Sequence, residues 1–341
     1  MVLRVLHLAG SATDEFTAEL SLLYARDCLE ATADPARYEF RAAYVDPAGS
    51  WRFGADFEPE TLHAAPRTDW PQALQHLHDL NVDVVVPQMF CLPGMTTYRA
   101  ALDLAGLPYL GNRPPVMSLG ADKAHARAVV AAAGVDVPEA EVLRRGQRPT
   151  LPPPVVVKPV DGDNSLGVSL VQAPEAYGAA LAAAFEHSER VLVEAYVELG
   201  REVRCAVLER EGELAGLPLE EYAVDPVHRP VRRHADKIGR GDAGGLQLLA
   251  KSSEEAWTVD LSDPVTARVH EAAFRAHTAL GCRDYSLFDF RIDPSGRPWF
   301  LEAGLYCSFA RQSVVVMMAE AAGIALPDLF AQMIAQRVPS A

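Results

Sequence analysis

The sequence predicts an α/β protein, with a doubly wound parallel α/β lobe at the N-terminus and mixed α+β lobes after it. Three observations lead there. Residues 1–117 alternate apolar strand-like runs with helical patterns, the β-α-β order of a parallel sheet. The middle of the chain packs three short β-branched runs around one Ala-rich helix. Near the C-terminus, Tyr285–Asp293 and Trp299–Gly304 read as two strands joined by a Pro294-Ser295-Gly296 turn. Within those strands Asp289 and Glu302 each stand among apolar neighbours.

In chain order, strand Leu3–Leu8 runs into a Gly10 turn, and a helix over residues 14–31 follows with Phe16, Leu20, Leu23 and Leu29 on one face. Thr13 or Asp14 is placed to cap it. Helix 71–80 leads into Val-rich strand 83–87, loop Gln88–Thr97, and a helix ending near Gly106. There is no GxGxxG after the first strand, so a dinucleotide site is not supported. Asp122 caps a helix that Gly134 stops, and the Pro- and Arg-rich stretch 144–154 reads as a connection. Strand Val155–Pro159 precedes a polar Gly loop, 161–167, then strand Val168–Val171, helix 174–187 and strand Arg190–Val197. Antiparallel strands 200–208 and 214–220 follow. Residues 224–253 are long, charged and aperiodic, the pattern of a functional lid or a disordered loop. Asp263, Pro264 and Gly281 mark the ends of a helix before the two acid-bearing strands, and a last helix spans 312–322. The expected division is 1–117, 118–197 and 198–341.

Composition narrows the function. The net charge of −15 argues against a sequence-independent nucleic-acid binder. Five scattered cysteines without a CxxC pair indicate neither a disulfide framework nor a structural zinc site. No apolar run is long enough to span a bilayer, and the N-terminus lacks a secretory signal, so a soluble, cytoplasmic protein is expected.

Asp289 and Glu302 lie at similar distances from their turn and are expected to face each other. Two such acids among apolar residues call for a positive charge between them, and Mg²⁺ bridging nucleotide phosphates is the usual one. Lys158 ends a buried strand just before a Gly loop with Ser165, an arrangement suited to phosphate. Lys123 starts a helix, a poor place for a cation unless an anion is near. Taken singly, such a lysine is most often a solvated surface residue. The order of the features carries the weight.

That order resembles the ATP-grasp ligases, specifically the D-alanine–D-alanine ligase-like family, over nearly the whole chain. Leu119–Lys123 is similar to the helix with the family's first nucleotide lysine, and Val156–Pro159 with Asn164–Val168 to its second lysine and phosphate loop. Val191–Val197 resembles the hinge that holds adenine, which implies nucleotide contacts from Glu194, Ala195, Tyr196 and Val197. Glu202 matches the ribose-binding glutamate, Lys237 the lid lysine, and Asp289 and Glu302 the metal-binding acids. The resemblance implies ATP and Mg²⁺ as cofactors, and amide formation between small amino-acid substrates through an acyl phosphate. Dimers are common in that family. Glu19 and Ser21 match positions that contact the first amino acid, and Ser313, with Arg311 beside it, a position that binds the second one's carboxylate. Lys237, Ser165 and Arg311 are the expected catalytic groups.

The chain also departs from that pattern. Gly304 stands where the family has a metal-binding Asn, and Leu287 where it has an Arg; Arg311, Arg204 and Arg283 are the candidate replacements. Gln88–Thr97 alters two N-terminal motifs. These departures suggest a specialised amino-acid ligase of natural-product metabolism, with D-alanine–D-alanine ligation proper, a carboxylate kinase or a non-catalytic nucleotide binder as alternatives.

Overall fold

The computed structural model describes residues 2–162, 165–225, 231, 239–240, 246–247 and 255–338. Its first sheet holds β1 (Leu3–Gly10), β2 (Tyr38–Val45), β3 (Trp51–Gly54) and β4 (Val84–Pro87) in the order β3-β2-β1-β4. β2 and β4 run parallel to β1, and β3 is antiparallel to β2. Helix α1 (Glu15–Ala31) follows β1, capped by Asp14, whose carboxylate accepts from the Thr17 amide. Gly10, at φ +109°, brings β1 so close to β2 that an added Cβ would lie 2.0 Å from the Val45 carbonyl oxygen. Helices α2 (Pro59–Ala64), α3 (Trp70–Asp79) and α4 (Arg99–Leu104) complete this part; α4 is entered through a π-turn at Gly94–Tyr98.

Helices α5 (Pro114–Ala121) and α6 (Lys123–Ala132) lead to a second sheet of β5 (Ala140–Arg144), β6 (Val155–Pro159), β7 (Ser169–Val171) and β8 (Arg190–Ala195). Its order is β5-β8-β6-β7, antiparallel throughout. Helix α7 (Tyr177–Phe185) covers it, packing Ala180, Ala184 and Phe185 on Val155, Val157, Val191 and Val193.

The third sheet contains β9 (Arg201–Arg210), β10 (Glu213–Gly216) and β11 (Glu220–Tyr222). The short pair β12 (Gly239–Arg240) and β13 (Leu246–Gln247) stands apart from it. After β14 (Ala256–Thr258) and α8 (Pro264–Leu280) come β15 (Tyr285–Ile292) and β16 (Pro298–Gly304), giving the order β14-β11-β9-β15-β16. Asp263 caps α8 and left-handed Gly281 ends it. Val265, Val269, Ala273 and Ala276 of α8 share a core with Val203, Phe288 and Phe300 of the sheet, and with Met117 and Val130 from α5 and α6. The expected last helix begins at Val314 (α9, Val314–Ala321), and a further helix, α10 (Leu326–Arg337), follows Gly323. Phe330 and Met333 of α10 join the core between the first and third sheets, with Val5, Val84, Ala206 and Leu208. Among the described residues no single helix is long and apolar enough to cross a membrane; α9 and α10 together approach the length but meet at 110°.

Strand β5, which the sequence reading did not assign and which overlaps the expected connection only at Arg144, has an exposed Val142 and Arg144 around buried Leu143, so its apolar residues do not mark a single face. Most of 224–253, including Arg232, Arg233, His234 and Lys237, lies outside the described residues.

Candidate active site

Strand alternation places the acids. Asp289 on β15 lies directly opposite Glu302 on β16, with a bulge between Asp289 and Phe290 taking up the odd residue. On the other side of β15, Asp289 faces Arg204 of β9, so Arg204, Asp289 and Glu302 form one row across the third sheet. Two residues along, Arg291 faces Glu202. The second sheet contributes Lys158 from β6 and Glu194 from β8, brought together by the Val156–Glu194 and Lys158–Leu192 pairings. Between these two sheets lies an open cleft.

Charges line one side of the cleft and apolar groups the other. Pro138, Val156, Val168 and Leu301 form flat apolar walls, beside Ala195 and Val197 of the segment leaving β8. Buried Glu194 takes Lys158 at 2.5 Å on one oxygen and Arg127 of α6 at 3.4 Å on the other. Glu202 binds Arg291 at 2.7 Å, and that guanidinium also donates to the Val197 carbonyl at 3.3 Å and stacks over the Tyr196 ring. Lys123 reaches in from the start of α6, donating to the Gly162 carbonyl and approaching Glu302 to 3.6 Å. Asp122 before it caps α6 and binds Arg190, which together hold its carboxyl below the usual range against the opposing effect of burial. Ser165 lines the cleft in the left-handed region at φ 58°, with Gly167 at φ 68° after it. Arg204 forks onto Asp289 at 2.6 and 3.3 Å. Burial opposes its charge, but Asp289, Tyr222 and Glu220 outweigh that and hold its pKa well above the ordinary arginine value.

One cleft thus brings together Lys158, Ser165, Glu194, Ala195, Val197, Glu202, Asp289 and Glu302, with Lys123 at its edge and Tyr196 on the outer side of the same segment. Other expected residues fall elsewhere. Ser21 is completely buried; its hydroxyl accepts from the Gly10 amide and donates to the Gln88 carbonyl, which leaves it no role at a substrate surface. Ser21→Ala should therefore lower stability by about 1–3 kcal/mol, by unpairing two buried backbone groups, and leave the substrate KM unchanged; thermal unfolding and steady-state kinetics check both. Glu19, two positions away, is exposed on α1. Arg311, an expected catalytic group, does not line the cleft. It is exposed and binds Asp27 and Glu30, clamping α1 to the segment after β16. Replacing Arg311 with Ala should change turnover less than about twofold, as for surface ion pairs generally. Ser313 is buried at the start of α9, its hydroxyl 3.6 Å from the Cys307 sulfur. Arg283 is spent on the Gly111 and Tyr109 carbonyls.

Sequence reading missed Arg127 and Arg291 and left Arg204 as one of three guesses. The signal for Arg204 was there, since Glu202 and Arg204 alternate on one strand and share its face. No group of three or more His, Cys, Asp and Glu among the described residues is arranged to hold a metal. Asp289 and Glu302 nonetheless fit Mg²⁺, which commonly takes one or two carboxylates with nucleotide phosphates completing its shell.

Comparison with known proteins identifies the relatives. Residues 131–335 match the family described as "D-ala D-ala ligase C-terminus". The D-alanine–D-alanine ligase of Mycolicibacterium smegmatis is 32% identical over 338 aligned positions, covering 88% of this chain and 87% of the relative. The chain belongs to the D-alanine–D-alanine ligase family. It is therefore an ATP-grasp enzyme that forms C–N bonds. The D-alanine–D-alanine ligase of Mycobacterium avium is 30% identical over 337 positions, covering 88% of each chain. Solved structures agree on the fold. The D-alanine–D-alanine ligase of Coxiella burnetii superposes with TM-score 0.75 at 20% identity, over 98% of this chain and 95% of that one. The VanG D-Ala:D-Ser ligase of Enterococcus faecalis gives 0.76 at 21%, over 99% and 100%. The Bacillus anthracis D-alanine–D-alanine ligase complexed with ATP gives 0.72 at 18%, over 99% and 97%. The expectation of a specialised natural-product enzyme is corrected by these relatives, whose similarity to D-alanine–D-alanine ligases extends through both halves of the chain.

Proposed function

We propose that this protein joins two D-alanines, using ATP, as a D-alanine–D-alanine ligase. The observation that carries the substrate is the identity of 32% over 338 positions with a ligase of that name, spanning 88% of this chain. The cleft supports the chemistry. The adenine lies between Pro138, Val156, Val168 and Leu301, with Glu194 and the backbone of residues 195–197 at its edge. Glu202, held by Arg291, receives the ribose hydroxyls. Lys158, Lys123 and the Ser165 loop take the phosphates, and Asp289 with Glu302 would hold Mg²⁺, which when bound neutralises phosphate charge. Phosphoryl transfer requires chiefly positioning and charge neutralisation, and this ring of fixed cations and carboxylates supplies both.

The first D-alanine's carboxylate oxygen attacks the γ-phosphorus, and the bond to the bridging oxygen breaks with its electron pair leaving on ADP. The second D-alanine's neutral amine then attacks the acyl carbon, and phosphate leaves carrying the former carboxylate oxygen and, by way of solvent, the proton the amine gives up. Purified protein with Mg-ATP and D-alanine should release ADP and yield a product of the dipeptide's mass. ADP release that needs other amino acids and gives no D-alanyl-D-alanine would refute the assignment.

A further inference from the structure

Buried Glu194 holds two cations, and it holds them unequally. Its Oε2 lies 2.5 Å from the Lys158 ammonium, while its Oε1 lies 3.4 Å from Nε of Arg127. Arg127 Nε is itself buried and makes no hydrogen bond. The Arg127 contact is thus an ion pair that has not closed into a hydrogen bond. The two cations also differ in freedom. Lys158 comes from β6 on a flexible four-carbon stem, lines the cleft, and has a second oxygen within reach, the Leu301 carbonyl at 3.5 Å. Arg127 comes from α6, one helical turn after Lys123 and so on the same face. Its guanidinium is anchored by an Nη2 donation to the Pro138 carbonyl, and it stands behind the cleft lining rather than in it.

That inequality matters once a nucleotide arrives. Lys158 takes phosphate in the reading above, and to do so its ammonium must turn away from Glu194. A carboxylate only 3% exposed is left without a positive charge only at large cost. We propose that Arg127 is a positioning residue, the standby counter-ion of Glu194: as nucleotide phosphate draws Lys158 off, Arg127 Nε closes onto the carboxylate and balances its charge. One ion-pair partner replaces another; no proton moves and no covalent bond changes. Helix α6 then serves the nucleotide twice, with Lys123 at the Gly162 carbonyl and Arg127 behind the hinge acid. The proposal rests on the nucleotide placement given above, and not on which amino acids are joined.

A double-mutant cycle in the full-length protein tests it, with native, Arg127→Met, Glu194→Gln and Arg127→Met/Glu194→Gln compared, and Arg127→Gln and Arg127→Lys alongside. Thermal unfolding checks that each is folded, and calorimetry gives the affinity for a non-hydrolysable Mg-ATP analogue. Arg127→Met keeps the tight Lys158–Glu194 pair, so it should fold. Its affinity for the analogue should fall about 10–100-fold, because Lys158 can no longer leave Glu194 without stranding it. Arg127→Gln, which keeps a donor for Pro138 but no charge, should lose affinity to the same extent, and Arg127→Lys, which keeps the charge, should recover part of the loss. In the Glu194→Gln background no charge needs balancing, so adding Arg127→Met should change affinity less than about threefold. An equal loss in both backgrounds would overturn the proposal and make Arg127 a tether for Pro138. So would affinity within about threefold of native for Arg127→Met or Arg127→Gln, and either result leaves the nucleotide reading standing. If native protein bound no analogue, that reading would fall and this proposal with it.

Discussion

Glu302→Gln should lower ADP release by about 10²–10³-fold with little change in thermal stability. The side chain is about one-third exposed, with Lys123 at 3.6 Å, so removing one negative charge does not uncover a deeply buried ion. Its position opposite Asp289 is what matters: with Gln at 302, a single carboxylate remains in the row to hold the divalent ion. Steady-state kinetics over a Mg²⁺ series check this, and raised Mg²⁺ should restore part of the rate. Turnover within about tenfold of native at ordinary Mg²⁺ would remove Glu302 from the reaction.

Lys158→Met is the second large effect, and it is mixed. The lysine is buried, and its removal leaves Glu194 with Arg127 alone, at 3.4 Å. Breaking a buried pair on one side costs about 3–5 kcal/mol, so the unfolding midpoint should drop. ADP release should fall by about 10²–10³-fold through loss of a phosphate cation. The double variant Lys158→Met/Glu194→Gln separates the two roles. It should regain much of the stability, since the buried carboxylate that lost its lysine is replaced by a neutral amide, and none of the turnover. Recovery of turnover along with stability would show Lys158 to be structural.

Much of the fold was legible because its signals are local. Asp263, Pro264 and Gly281 bound α8 as expected, and the Pro294–Gly296 turn fixed the register that sets Asp289 against Glu302. The cleft residues on strands were legible for the same reason, since Lys158 and Glu194 close buried β-branched runs. What escaped depends on distant pairing. Arg204 meets Asp289 only because β9 is inserted between β11 and β15, a contact across 85 positions. Ser21 was misread because residues two apart on a helix point to different sides: Glu19 is exposed, and Ser21 is buried under Gly10 and Gln88. Arg311 lies near Ser313 in sequence, yet α1 draws it away to Asp27. The departures at Leu287 and Gly304 pointed toward another metabolism, whereas similarity over most of the chain keeps it among the D-alanine–D-alanine ligases.

The most direct test of the central claim follows one oxygen atom. D-alanine labelled with ¹⁸O in both carboxylate positions is turned over with Mg-ATP, and the released phosphate is weighed by mass spectrometry. Ligation through an acyl phosphate predicts one ¹⁸O in each phosphate, ADP as the nucleotide product, and D-alanyl-D-alanine in equal amount. Unlabelled phosphate, or label appearing in AMP, would contradict the account.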